Sequence, residues 1–231
     1  MSLTPTVADV AACLDHAVLK PQQTETDLRQ AAAMCITRGV GCLCVRPVDV
    51  GLAATLVRES PVVVASVVGF PHGSHRAATK AVEAAAAITD GARELDMVIS
   101  IGGLRAGHDV AVQADIAAVV AAAQPAGVLV KVILETCFLT PAEIARGCRL
   151  AEAAGADFVK TSTGFGPAGA TPEAVAIMLD TVGDRLGVKA SGGIRDWETC
   201  VGYLRMGCRR IGVGDAEAIL TGRPPEKGAS Y

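Results

Sequence analysis

Aromatic side chains are scarce, with one Trp, two Tyr and four Phe in 231 positions. Since 51% of the residues are hydrophobic, the core must be built from Ala, Val, Leu and Ile, which suits an α/β protein of one domain. No run reaches the roughly 18 uninterrupted apolar residues of a membrane span. The opening MSLTPTVADV lacks a basic segment followed by an apolar one. These two absences point to a cytoplasmic protein without a membrane partner.

An excess of positive charge is also missing. The net charge is -3 and the basic residues are scattered, so no nucleic-acid footprint is expected. The partner is then a small molecule. Before residue 221 no Pro/Gly/Ser-rich stretch reads as a linker, so residues 1–231 are expected to form one domain. The end, TGRPPEKGASY, reads as a mobile C-terminal tail over 221–231.

Eight cysteines (Cys13, Cys35, Cys42, Cys44, Cys137, Cys148, Cys200 and Cys208) show neither CxxC spacing nor nearby histidine pairs, so reduced, buried thiols are expected. Four scattered histidines lack ligand spacing, so no metal is expected and His16 and His72 read as hydrogen-bonding residues. A dinucleotide loop is missing as well: LDHAVLKP after the first strand-like run has no Gly-rich turn.

What is present is a repeated strand pattern. Strand-like runs fall near 12–19, 40–46, 62–69, 94–100, 128–135, 158–163, 188–192 and 210–214, each separated by enough chain for an Ala-rich helix. Eight alternating units predict an α/β fold of the (β/α)8 TIM barrel type. Gly39, Gly91, Gly155 and Gly207 each end a helix-like segment just before strands two, four, six and eight. Five residues beyond each lie Cys44, Asp96, Lys160 and Gly212. Alternate strands fill one layer of such a barrel, so these four should share a layer. In it an acid and an amine face each other, with Gly212 leaving room beside them.

Three lysines stand in apolar runs: Lys131 in VLVKVILE, Lys160 in DFVKTST and Lys189 in GVKASGGI. A buried ammonium either finds a carboxylate or loses its proton and becomes a nucleophile. For Lys131 an ion pair with Glu135, two steps on along the strand, is expected. Lys189 should approach Lys160 from a neighbouring layer. Crowding and desolvation would then favour the neutral amine that imine chemistry needs.

The segments LDHAVLKP (14–21), SVVGFPHG (66–73), ELDMVIS (94–100), KVILETC (131–137), FVKTSTGFG (158–166) and VKASGGIR (188–195) resemble the deoxyribose-phosphate aldolase family. The resemblance runs from about residue 9 to about residue 214. It implies a metal-free class I lyase without a cofactor, using small aldehyde and sugar-phosphate substrates in nucleoside catabolism, and is compatible with a homodimer. By position, Lys160 matches the Schiff-base lysine, Lys189 the second lysine that depresses its pKa, and Asp96 the proton-relay carboxylate.

Asp15, Cys44, Thr163, Gly164, Gly192, Gly193, Gly212 and Gly214 are the expected substrate-contacting residues. Thr163 would position a water, and the glycines of loops six and seven would offer amides to the phosphate. The chain departs from the family pattern at Gly214 and Asp215, where serines are usual, and at Ala17, where threonine is. Asp215 reads either as a helix cap or as a charge opposing phosphate. Tyr231 reads as a tail residue that could fold over the pocket. Other readings stay open: a catalytically silent sugar-phosphate binding barrel, a related imine-forming aldolase preferring a non-phosphorylated acceptor, and an imine-forming aldolase with a ketone donor.

Overall fold

A computed structural model describes residues 5–222. It is a closed barrel of eight parallel strands in the order β1 to β8: Leu14–Val18, Cys42–Val45, Val63–Val68, Glu94–Val98, Leu129–Ile133, Phe158–Lys160, Gly187–Ser191 and Arg210–Val213. The expected (β/α)8 TIM barrel is therefore present. Seven of the eight strand-like runs hold one strand each, and β7 begins one residue ahead of its run, at Gly187. In the first run Ala12 and Cys13 instead complete a helix, α1 (Val7–Cys13), whose Thr6–Asp9 capping box fixes its start.

The outer helices follow in order: α2 (Glu25–Arg38), α3 (Val50–Val57), α4 (Ala77–Thr89), α5 (Ile101–Arg105), α6 (Asp109–Ala123), α7 (Pro141–Ala153), α8 (Pro172–Val182), α9 (Trp197–Met206) and α10 (Ala216–Thr221). Capping boxes at Thr24–Asp27 and Thr140–Glu143 start α2 and α7 by satisfying amides that the helix leaves open. Outward strand residues such as Leu43, Val64, Leu95, Val132 and Val159 pack with Ala, Val and Leu of these helices into one core. Small helix residues let the helices lie close to the sheet, so the shortage of aromatics costs little packing.

The glycine spacing survives in three dimensions. Strands β2, β4, β6 and β8 begin at Cys42, Glu94, Phe158 and Arg210, each three residues after its glycine. The third residues of these strands are Cys44, Asp96, Lys160 and Gly212. Register carries the pattern around the ring: Asp96 is partnered with Lys131, Lys160 with Lys189, and Asp15 with Gly212 where β8 closes on β1.

A fourth buried lysine lies outside the strands. Lys80 of α4 donates to Asp115 of α6 at 2.5 Å and to the carbonyl of Val98 at 2.8 Å. It fastens two helices to the end of β4. The Ala-rich segment AATKAVEAAAA gave no sign of this, because its partner is 35 residues away.

Candidate active site

The interior wall has two unlike halves. Strands β1 to β3 contribute Ala17, Cys42, Cys44, Ala65 and Val67, joined by Leu19, to a small apolar cluster. Strands β4 to β8 contribute Glu94, Asp96, Lys131, Lys160, Lys189 and Arg210, with Asp15 of β1 reaching across to them.

Asp96 is the hub. Its Oδ2 accepts from Lys160 at 2.7 Å and from Lys189 at 2.6 Å, while its Oδ1 accepts from Lys131 at 2.8 Å. Lys189 also donates to Asp15. Arg210 binds Glu94 through two hydrogen bonds, at 2.9 and 3.0 Å, and Asp15 through its Nε at 2.7 Å. Four cations, Lys131, Lys160, Lys189 and Arg210, thus face three carboxylates, Asp15, Glu94 and Asp96. One cation is in surplus.

Electrostatics selects which lysine gives up its proton. Burial drives the Lys160 amine below the ordinary lysine value of 10.5; Asp96 opposes this and Lys189 adds to it. Lys131 is equally buried, but Asp96, Asp15 and Glu94 outweigh its desolvation and hold it well above that value. Burial works to raise the carboxyls of Asp15 and Asp96, yet the surrounding cations bring Asp15 down to about 2 and hold Asp96 well below the usual range. Asp15 and Asp96 are therefore firmly ionised, while the Lys160 ammonium is weakened.

Several expectations are corrected by this geometry. Lys131 does not pair with Glu135: its amine sits 2.5 Å from Glu94 and 2.8 Å from Asp96. Glu135 lies past the end of β5 in a left-handed conformation, so strand alternation no longer puts it on the Lys131 face. Its carboxylate accepts instead from the amide of Thr163 at 3.3 Å and from the Thr163 hydroxyl. The single Thr163 proton is thereby committed, so Thr163 can accept from a water but not donate to one. Asp15 lies in the charged half of the wall, paired with Lys189 and Arg210.

Gly212 makes room for a neighbour. A Cβ there would lie 2.7 Å from the Cβ of Ser191 and 3.1 Å from Cε of Lys189. Cys44 faces inward and is buried, and burial pushes its thiol up to about 11, which keeps it protonated. His16 is also buried; desolvation lowers it to about 4, and its Nδ1 accepts from the Ala216 amide at 3.3 Å. Asp15, Cys42 and Glu94 bring three donor atoms together. Both carboxylates are already neutralised by Arg210 and Lys131, and burial raises the Cys42 thiol well above its usual value.

Gly164, Gly192 and Gly193 come together around one pocket. With Gly166, Pro167, Ala168, Gly169 and Arg195 they line a pocket of about 310 Å³. Its two loops touch backbone to backbone: the Ala170 amide donates to the Ser191 carbonyl at 3.0 Å, and a Cβ on Gly192 would meet the Cα of Gly169 at 2.9 Å. Gly214 does not line this pocket. Asp215 caps α10 by accepting from the Ala218 amide at 2.8 Å. Tyr231 and most of the expected tail lie outside the described residues.

Glu94 and Arg210 were missed in the sequence. Each stands two residues before a position already assigned inward, Asp96 and Gly212, so period-two alternation was a signal for both.

The model of the DeoC/LacD family aldolases matches residues 10–208. A deoxyribose-phosphate aldolase from Natranaerobius thermophilus is 46% identical over 215 residues, covering 93% of this chain and 97% of that protein. Another from Thermococcus kodakarensis is 46% identical over 220 residues, covering 94% and 98%. Among solved structures, the deoxyribose phosphate aldolase from Aeropyrum pernix, described as a tetramer, superposes with a TM-score of 0.88. It is 32% identical, covering 94% of this chain and 92% of that one. A barrel whose charged half surrounds one weakened lysine and a family match over nearly its whole length lead to one conclusion: the chain belongs to the DeoC/LacD aldolase family.

Proposed function

We propose that the protein reversibly cleaves 2-deoxy-D-ribose 5-phosphate to acetaldehyde and D-glyceraldehyde 3-phosphate through an imine on Lys160. The observation that carries this is the surplus cation. Lys160 combines full burial, a lowered pKa and a place beside an acid that stays ionised. Full-length similarity to deoxyribose-phosphate aldolases supports the choice of substrate.

In cleavage, the neutral Lys160 amine adds to the C1 aldehyde, and the carbinolamine takes up a proton from water in the site and loses water, giving a protonated imine. Removal of the C3 hydroxyl proton lets the C2–C3 bond break. Its electron pair moves to C2 and into the iminium as an enamine, and the three-carbon aldehyde departs. Protonation at C2 and hydrolysis of the imine release acetaldehyde and restore the amine. Asp96, held ionised by Lys131 and Lys189, anchors the water that carries the C3 proton, since a direct base of such low pKa is poorly matched to an alcohol. The phosphate is assigned to the glycine-lined pocket, where Gly164, Gly192 and Gly193 supply amides and Arg195 a positive charge.

Among the described residues no helix is long and apolar enough to cross a membrane, and we place the enzyme in the cytoplasm with small molecules as its partners. Self-association as a homodimer is read from the family resemblance, and light scattering would settle it. Incubation with 2-deoxy-D-ribose 5-phosphate and borohydride, followed by peptide mass spectrometry, tests the reaction. A reduced adduct on Lys160 is expected; folded protein without an adduct would overturn the proposal.

A further inference from the structure

Glu135 has no part in the scheme above, yet it is only 2% exposed. It is also the one residue other than glycine, among those described, with a positive φ, at 57°. Such a conformation is uncommon outside glycine and persists where the surroundings impose it. Here two backbone bonds do so. Leu134 donates to the Lys160 carbonyl at 2.9 Å, and Thr136 donates to the Thr161 carbonyl at 3.0 Å. Between them the chain turns and delivers the Glu135 carboxylate to the loop after β6.

There it accepts from the Thr163 amide with both oxygens at 3.3 Å and from the Thr163 hydroxyl. The same hydroxyl accepts from the Phe165 amide at 3.0 Å. One carboxylate thus takes two donors from Thr163, whose hydroxyl in turn takes the Phe165 amide, at the start of a loop that carries Gly164, Gly166 and Gly169. A segment so rich in glycine has much backbone freedom to lose, and charge-assisted hydrogen bonds are the strong means of removing it.

We infer that Glu135 is a positioning residue for the phosphorylated, acceptor end of the substrate, acting through Thr163 to hold the loop over residues 164–169. The inference rests on the aldolase reading of this site. That loop walls two spaces at once: the glycine-lined pocket and a second pocket of about 360 Å³ between Pro71, Ile101, Phe138 and Phe165. Phe165 leaves the latch to meet Phe70 edge-on, with ring centres 5.2 Å apart, tying the loop to the one after β3. The Lys160 amine makes its own hydrogen bond on the other side, to Asp96 at 2.7 Å. Glu135 therefore separates binding of the three-carbon phosphate fragment from formation of the imine.

Two variants test this. Glu135→Gly keeps the left-handed backbone and removes the carboxylate, whereas Glu135→Gln keeps an oxygen that accepts from Thr163. For each, kcat and KM with 2-deoxy-D-ribose 5-phosphate are compared with the rate of borohydride trapping by acetaldehyde alone, which needs only Lys160. A rise in KM for the sugar phosphate of up to about 100-fold is expected for Glu135→Gly, with acetaldehyde trapping at the wild-type rate. Glu135→Gln should recover most of the loss. An unchanged KM in Glu135→Gly overturns the inference, as does trapping that declines in step with turnover. Should Glu135→Gly not fold, Glu135→Asn, one methylene shorter and tolerant of the left-handed backbone, must raise KM selectively in soluble protein; a normal KM there is equally decisive against it. Wild-type protein that forms no Lys160 adduct would defeat the aldolase reading itself, so the two failures are distinguishable.

Discussion

Lys160 and Lys189 donate to the same oxygen, Oδ2 of Asp96, at 2.7 and 2.6 Å, from adjacent strands on which the two lysines are register partners. Two ammonium groups sharing one acceptor repel each other, and the one with fewer carboxylates around it yields. Lys189 has Asp15 as a second anion, whereas the only carboxylate paired with Lys160 among the described residues is Asp96.

Lys189→Met should therefore raise the pKa of Lys160 and reduce its neutral fraction at pH 7, roughly tenfold for each unit of rise. The expected result is slower borohydride trapping at neutral pH, with the rate recovering as pH is raised. A pH–rate profile of trapping with acetaldehyde checks this. An unshifted profile would remove Lys189 from the tuning of the nucleophile.

Lys160→Met abolishes the adduct, but its effect on stability is the more informative measurement. The variant leaves three cations facing three carboxylates, so its melting temperature should equal or exceed the wild type. Arg210→Met leaves buried Glu94 and Asp15 short of a partner and should cost about 3–5 kcal/mol. The sign with pH follows from the lowered folded pKa of Lys160. The unfolded chain binds the proton more tightly, so stability rises with pH between that pKa and 10.5. Denaturant titrations across this window should show the slope in wild type and its absence in Lys160→Met.

Gly212→Ala places a methyl group 3.1 Å from Cε of Lys189 and 2.7 Å from the Cβ of Ser191. Overpacking of this kind costs about 1–3 kcal/mol. Because the crowded neighbour is Lys189, kcat should decline along with thermal stability. Full activity in a destabilised variant would show that the lysine absorbs the methyl without moving from Asp96.

Asp215→Ser keeps a side chain able to cap α10 and removes a negative charge from the end of β8. The ratio of kcat/KM for phosphorylated over free deoxyribose should increase. An equal ratio in both proteins would mean that Asp215 acts as a helix cap alone.

How much could be read from the sequence depended on whether the deciding relation was local. Strands announced themselves as apolar runs, and one glycine spacing repeated four times placed Asp96 and Lys160 at one height. The ion pairs were harder, since Arg210 and Glu94 meet across the barrel from 116 positions apart. Lys131 was misassigned because alternation was carried two residues past the end of β5, to Glu135, where the backbone has left the strand. Lys80 gave no pattern at all: a lysine in an Ala-rich helix looks solvated until the packing of α4 against α6 is known.

The unlike halves of the barrel wall divide the labour of adaptation. On β4 to β8 every charge is tied to at least one other, so a substitution there disturbs the titration of the whole set. On β1 to β3, Asp15 apart, the lining includes Ala17, Cys44, Ala65 and Val67, small side chains with no charge to strand. Space can be added or removed along that wall while the amine keeps its reactivity, which makes substrate shape the property this barrel can change with the fewest side effects.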